Sequence, residues 1–426
     1  MNLMKKIMVV GGGGREHAIT WKLSQSNNIK DLWVAPGNGG SQKLAESINV
    51  NPNDIDGIVS AAKSRNTDLV VIGPEDPLAL GVVDALEEVG IASVGPSKNA
   101  AQIEASKIFA KNLMDSANIP TAKWQSFDQA QSAIEHIQKC EMPIVIKADG
   151  LAAGKGVAVC QNIPESEIFI NQLMISKTFK DAGNTILIEE CLNGKEASIF
   201  VLCDGESSIM TIPACDYKRI GDNDVGPNTG GMGSYSPPEF LSDRELSEIE
   251  TSIVQPTLKQ LEQQGIPYKG TLYIGLMITE TGPKVLEFNC RMGDPETQVI
   301  LPRLDHDLLE IYESITTGTL SELDINWSSE ATVGLVIASE GYPEKPKTGI
   351  PITGLDKLDN DILAFHSGTR RKGDTLVTSG GRVLTLVASG TNIQEARKKL
   401  YDNIDRVHFE GMQYRTDIGL RAIHNM

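Results

Sequence analysis

The sequence predicts an α/β protein in three units: an N-terminal doubly wound parallel sheet, a central α+β domain with a mobile lid, and a C-terminal α+β domain. Three observations lead there. At 426 residues the chain is too long for one ordinary hydrophobic core. Over residues 1–103 short apolar runs alternate with amphipathic stretches in a βαβα rhythm, which builds a parallel sheet. From Gln102 the composition shifts, and glycine-rich loops interrupt the strands that follow.

In the first unit, Ile7–Val10 reads as a strand, Arg15–Ser26 as a helix, and Leu32–Ala35, Asp68–Ile72 and Ile91–Val94 as further strands. The span Leu78–Val89 reads as amphipathic. Ligands of such sheets gather at the carboxyl ends of the strands. Those ends carry Gly11, Gly12, Gly13 and Gly14, then Pro36-Gly37-Asn38, Gly73-Pro74-Glu75 and Gly95-Pro96. The first loop fails as a dinucleotide fingerprint, because Glu16 replaces the third glycine and the second strand ends in Ala35-Pro36 without a ribose-binding acid. A single phosphate on the four amides of Gly11–Gly14 is the expectation, with Asn38 and Glu75 beside it as substrate contacts.

The central unit is expected over 104–325, with the lid at about 121–188. Ser106 caps a helix bearing Lys107. The stretch PIVIKADGLAAGKGV (143–157) reads as a buried strand delivering Lys147, followed by a glycine loop with Lys155 inside it. Lysines beside free backbone amides suit a polyphosphate. It is not a Walker loop: three residues, not four, separate Gly150 from Gly154, and Gly156 stands where Ser or Thr should hold a metal. Ile163–Met174 reads as a helix and Thr185–Glu190 as a strand. The end of that strand, Glu189, Glu190 and Leu192, offers backbone groups to an adenine edge, and Glu196 offers its carboxylate to ribose hydroxyls. Residues 213–235 read as a long polar loop, the kind retained for function.

Two strands, Gly270–Ile278 and Lys284–Asn289, then run into Arg291–Thr297. Glu287 and Asn289 alternate along one strand, so both side chains leave one face. A carboxylate and an amide oxygen are hard ligands suited to Mg²⁺, which commonly bridges protein and nucleotide phosphates. Arg291 follows by the same alternation, placed for a transferring phosphoryl group. Residues 330–426 form the third unit, with strands Thr332–Ser339, Ile362–Ser367, Asp374–Thr378 and Arg382–Ser389 and a helix Ile393–Ile404.

Composition narrows the function class. Hydrophobic residues are 40% and charged ones 22%, ordinary for a globular protein, and the net charge is −17. A nucleic-acid partner needs a basic face, so none is expected. The six cysteines are scattered without a CxxC pair, which fits reduced thiols in the cytoplasm and argues against a disulfide frame or a zinc site. Only Ile7–Val10 is apolar behind Lys5-Lys6, too short for a secretory signal, and no run approaches a membrane span.

Taken together, GGREHA at 13–18, VAPGNGG at 34–40, IKADGLAAGKGV at 146–157, GPNTGGMG at 226–233 and EFNCRMGDPET at 287–297 resemble the phosphoribosylamine–glycine ligase family of ATP-grasp enzymes across essentially the whole chain. The resemblance implies ATP lying between two sub-lobes of an ATP-grasp domain, with Mg²⁺ or Mn²⁺ on Glu287 and Asn289. It implies glycine, 5-phosphoribosylamine and ATP as substrates of a purine-biosynthetic ligase, as a monomer or weak dimer. Lys107 and Lys147 would then neutralise phosphates, Asp216, Arg291 and Asp294 would hold glycine, and Lys147, Asp216 and Arg291 would be catalytic. The rival expectation is another ATP-grasp enzyme on a purine intermediate, such as an N⁵-carboxylating synthetase.

Overall fold

A computed structural model describes residues 4–151, 156–178 and 180–424. Its first sheet is wholly parallel, with strands in the order Glu46–Ser47, Ile29–Pro36, Lys5–Gly11, Leu69–Ile72, Ala92–Val94. Strand order reverses at Lys5–Gly11, so the glycine loop after it sits at the switch point of a doubly wound sheet. Ile7 to Val10 are fully buried because helices cover both faces of the sheet. The helix after the loop spans Gly14–Leu23, three residues shorter than expected at its far end. The amphipathic span 78–89 is two helices, Glu75–Leu80 and Val82–Glu87, broken at Gly81, whose φ of 97° no helix interior accepts.

The central unit has two lobes. One is a four-stranded antiparallel sheet, Trp124–Phe127, Ile186–Glu190, Ile144–Ala148 and Val157–Cys160, covered by helices Ala130–Ile137 and Ile163–Met174. It has a core of its own, including Phe127, Ile137, Ile146, Leu173 and Ile188. The other lobe is the antiparallel sheet Ser208–Met210, Lys195–Asp204, Lys269–Thr279, Gly282–Asn289. Its residues Ile199, Leu272 and Val285 share a core with Met8, Val70 and Ile103 of the first unit. One lobe is thus fused to the N-terminal unit and the other packs mainly on itself.

Residues 213–235 are not a simple loop. Arg219–Gly221 and Val225–Asn228 form a hairpin, while Cys215–Asp216 and Gly233–Ser236 join the C-terminal sheet. That sheet runs Cys215–Asp216, Gly233–Ser236, Ala331–Ala338, Arg382–Gly390, Leu363–His366. Its first two strands come from about a hundred residues upstream of their partner, a pairing that local periodicity does not report. Helix Ile393–Ile404 packs on this sheet through Ile393, Ala396 and Leu400.

Candidate active site

A cleft of about 350 Å³ opens where the two lobes, the N-terminal unit and the C-terminal sheet meet. Of the expected site residues, Lys107, Lys147, Glu189, Asp216, Glu287, Asn289, Arg291, Asp294 and Glu75 line it.

Its cationic wall begins at Ser106, whose hydroxyl caps the helix Lys107–Ser116 by accepting from Phe109 N–H at 3.1 Å. Lys107 donates to the Gly150 carbonyl at 3.0 Å. Lys147, brought in by the strand Ile144–Ala148, donates to the Leu286 carbonyl at 3.0 Å and pairs with Glu189 Oε2 at 2.9 Å. Lys111 reaches the same oxygen at 3.3 Å. Burial pushes the Lys111 amine down to about 8 although Glu189 opposes this. Sequence reasoning missed Lys111, and the signal was there: it lies four residues after Lys107 on one helix face. Lys155 lies outside the described residues.

The opposite wall is the strand Gly282–Asn289. Glu287 and Asn289 leave its cleft face as alternation requires. Burial disfavours the Glu287 carboxylate, but Lys218, Lys147, Lys107 and Arg291 outweigh it and hold the acid below its usual range. No hydrogen bond or ion pair to Glu287 is formed among the described residues, so its oxygens face the cleft unspent. Asn289 Oδ1 accepts from Arg291 Nη2 at 3.1 Å. Three-acid or His/Cys clusters of metal-binding type are absent among the described residues. Two hard oxygens beside a cationic wall still fit Mg²⁺, which takes its remaining ligands from water and phosphate.

Arg291 is committed more heavily than its expected role allows. Its Nε donates to Glu75 Oε2 at 3.0 Å, Nη2 to Glu104 Oε1 at 3.0 Å, and Nη1 to the Met292 carbonyl at 3.3 Å. With Asn289, four hydrogen bonds use most of the five donors of the guanidinium. Arg291 holds the Glu75 carboxyl down to about 2, against burial. Glu104, which sequence reasoning also missed, is buried and pushed upward by that burial; its Oε2 accepts from Cys290 N–H at 2.7 Å. Asp294 is likewise engaged, with Arg382 at 3.3 Å and Gln298 Nε2 at 2.8 Å. Burial pushes Asp216 up to about 7; Lys218 opposes this, and Glu296, Glu196 and Glu287 add to it.

Several expected residues fall elsewhere. The Gly11–Gly14 loop and Asn38 do not line the cleft. The picture of four free amides is corrected by Glu16: its Oε2 accepts from Gly13 N–H at 2.6 Å, and a Cβ at Gly11 or Gly73 would stand 2.4 or 2.2 Å from its side chain. An acid therefore takes one of the four amides, that of Gly13. Asn38 is spent internally, donating to the Gly12 and His366 carbonyls at 3.1 and 2.7 Å and accepting from the Gly40 and Ser41 amides. Glu190 and Leu192 line a second hollow instead, with Cys191, Lys195 and Phe240. Strand alternation sets only the side chains, not the backbone groups of this stretch: Glu189 faces the cleft and Glu190 faces away, accepting from Lys123 N–H at 3.1 Å. Glu196 does not line the cleft either; it pairs at 2.9 Å with Lys218, which does.

Three consecutive stretches match one family: residues 5–104 its "Phosphoribosylglycinamide synthetase, N domain", 105–297 its "ATP-grasp (A) domain" and 332–421 its "C domain". A phosphoribosylamine–glycine ligase of Caldanaerobacter subterraneus is 46% identical over 97% of this chain and 99% of its own length. The trifunctional purine biosynthetic protein adenosine-3 of Gallus gallus is 45% identical over 98% of this chain, which spans 42% of that protein. The crystal structure of the Thermotoga maritima phosphoribosylamine–glycine ligase superposes with a TM-score of 0.85 at 34% identity, covering 97% of this chain and 99% of that one. Biotin carboxylase from Campylobacter jejuni shares the fold at 16% identity, with a TM-score of 0.75 over 99% and 97% of the two chains.

Proposed function

The chain belongs to the phosphoribosylglycinamide synthetase family, and from that premise we propose that it joins glycine to 5-phosphoribosylamine with cleavage of ATP to ADP and phosphate, through glycyl phosphate. One observation supports this best: Lys107 and Lys147 face Glu287 and Asn289 across a single cleft between two lobes.

The chemistry explains why the parts are needed. A carboxylate is a poor electrophile, since its charge repels an amine and oxide does not leave. A glycine carboxylate oxygen attacks the γ-phosphorus, the bond to the ADP oxygen breaks, and glycyl phosphate forms. The amine nitrogen then attacks the carbonyl carbon, the bond to the phosphate oxygen breaks, and the nitrogen sheds a proton. Phosphoryl transfer asks the protein for in-line positioning and charge neutralisation rather than covalent help. Lys107 and Lys147 supply fixed positive charge for the phosphates. Glu287 and Asn289 would hold Mg²⁺ or Mn²⁺, which when bound neutralises charge on the phosphate oxygens. Asp216, which lines the cleft and is raised above the usual carboxylate range by burial, suits the proton that the amine nitrogen releases. Arg291 acts chiefly as the brace between Glu75, Glu104 and Asn289, with one donor left for substrate. Acyl phosphates hydrolyse, so the self-packed lobe over 123–190 is the element suited to close over the cleft.

A coupled assay of ADP release with each substrate omitted in turn tests this reading. ADP release should need ATP, glycine and the sugar amine together. Turnover without glycine, or dependence on bicarbonate, would replace it with the carboxylating alternative.

A further inference from the structure

The segment 215–219 has two faces. Asp216 and Lys218 line the cleft, whereas Tyr217 between them turns away and is buried against the C-terminal segment 415–421. Two guanidinium groups lie over its ring, Arg415 and Arg421, each 4.7 Å from the centroid, and its hydroxyl accepts from Gly419 N–H at 2.9 Å. Arg415 is wholly buried. Its Nε and Nη2 donate to the two oxygens of Asp417 at 2.7 and 2.6 Å, and Nη1 to the Arg219 carbonyl at 3.0 Å and Asp224 Oδ1 at 2.9 Å. Asp224 also pairs with Arg421. At the hairpin tip, Asn223 N–H donates to Asp417 at 2.9 Å and Thr416 N–H to Asp222 at 2.7 Å.

The hairpin Arg219–Gly221/Val225–Asn228 needs such support. It is a two-stranded ribbon with Val225 exposed and with Asn223 and Asp224 both at a φ of 55°, and an isolated ribbon of this size is marginal in water. Its base presents the cleft residues: Thr229 N–H and Oγ1 both donate to the Lys218 carbonyl, at 2.7 and 2.8 Å. Burying a guanidinium costs several kcal/mol unless its donors are used, and fixing a geometry is the best-attested return for that cost.

We propose that Arg415, Arg421 and Asp224 form a positioning clamp, through which the C-terminal segment holds the hairpin and Tyr217 so that Asp216 and Lys218 face the substrates. The clamp touches no substrate and acts only through the residues it holds. Its functional side rests on the placement of Asp216 and Lys218 in the active cleft.

The test uses the full chain with Asp224→Ala and Arg421→Ala, both at partly exposed positions, in hydrogen exchange and steady-state kinetics. Peptides covering 217–230 should exchange faster in each variant while the strand Lys5–Gly11 keeps its protection. The kcat/KM for glycine should fall about tenfold, the scale on which slight misplacement acts. The KM for ATP should stay within about twofold, because Lys107 and Lys147 sit on other elements. The double variant should be little worse than either single one, since both cut the same clamp. Unchanged exchange at 217–230, or protection lost throughout the chain, would overturn the clamp. Faster local exchange with wild-type glycine kinetics would overturn its positioning role. Lys218→Met separates the two levels: wild-type kinetics there would remove Lys218 from the site and the clamp's function with it.

Discussion

Lys147 Nζ lies 2.9 Å from Glu189 Oε2, and the same carboxylate oxygen is 3.3 Å from Lys111. One buried acid thus holds two cations in the wall that faces Glu287. Glu189 Oε1 has no hydrogen-bond partner among the described residues, so the acid is not fully spent on them.

Glu189→Gln should leave two buried ammonium groups without their counter-charge. Breaking a buried pair costs about 3–5 kcal/mol, so a clear loss of stability is expected, with a raised KM for ATP. Thermal unfolding and ATP kinetics on one preparation check this. Wild-type values for both would show that the triad contributes nothing.

Glu287→Gln should cut kcat by about 10²–10³ with little change in unfolding midpoint, since Glu287 makes no hydrogen bond or ion pair among the described residues. Steady-state rates across a Mg²⁺ titration read the outcome. A variant as active as wild type at limiting Mg²⁺ would remove Glu287 from the metal site.

Arg291→Lys should behave as a severe change despite keeping the charge. A lysine cannot reach Glu75, Glu104 and Asn289 together as the planar fork does. We expect stability to fall by about 3 kcal/mol and activity with it. Denaturant unfolding measures the first directly.

His17 and His366 give a pH dependence of stability. His17 Nδ1 accepts from the His366 N–H at 2.7 Å, so His17 is neutral in the fold. Burial, then Lys43, lowers His17 to about 4; burial, then His17, Lys43 and Arg371, lowers His366 to about 3. In the unfolded chain both titrate near 6.5. Their contribution is complete above about pH 6.5 and is lost as pH falls towards the folded values, because the unfolded state takes up protons first. His17→Gln, whose amide oxygen can still accept, should flatten the fall between pH 6 and 4 by about 1.4 kcal/mol per pH unit. Parallel curves for variant and wild type would contradict this.

Local pattern made much of the molecule legible. The helices Ile163–Met174 and Ile393–Ile404 match their expected bounds, and the strand bearing Glu287 and Asn289 was readable from its period of two. The same rule, carried one step further, would have turned Glu190 away from Glu189. The strand Trp124–Phe127 is too short and half-polar to read locally, whereas the helix Leu308–Thr317, absent from the expectations above, carries its signal in the spacing of Leu308, Ile311, Tyr312 and Ile315.

By itself the sequence determined which side chains of one element share a face, because strand and helix periods are properties of the local backbone. It therefore put Glu287 and Asn289 on one face of their strand, and the fold brings Lys147 to the cleft that this face lines. Only the tertiary structure decided which charges remain free there. Glu75 and Glu104 reach Arg291 across 216 and 187 residues of chain, and Glu16 enters a loop that looked open to phosphate. Such pairings depend on how separately folded sheets come together, and no local period encodes them.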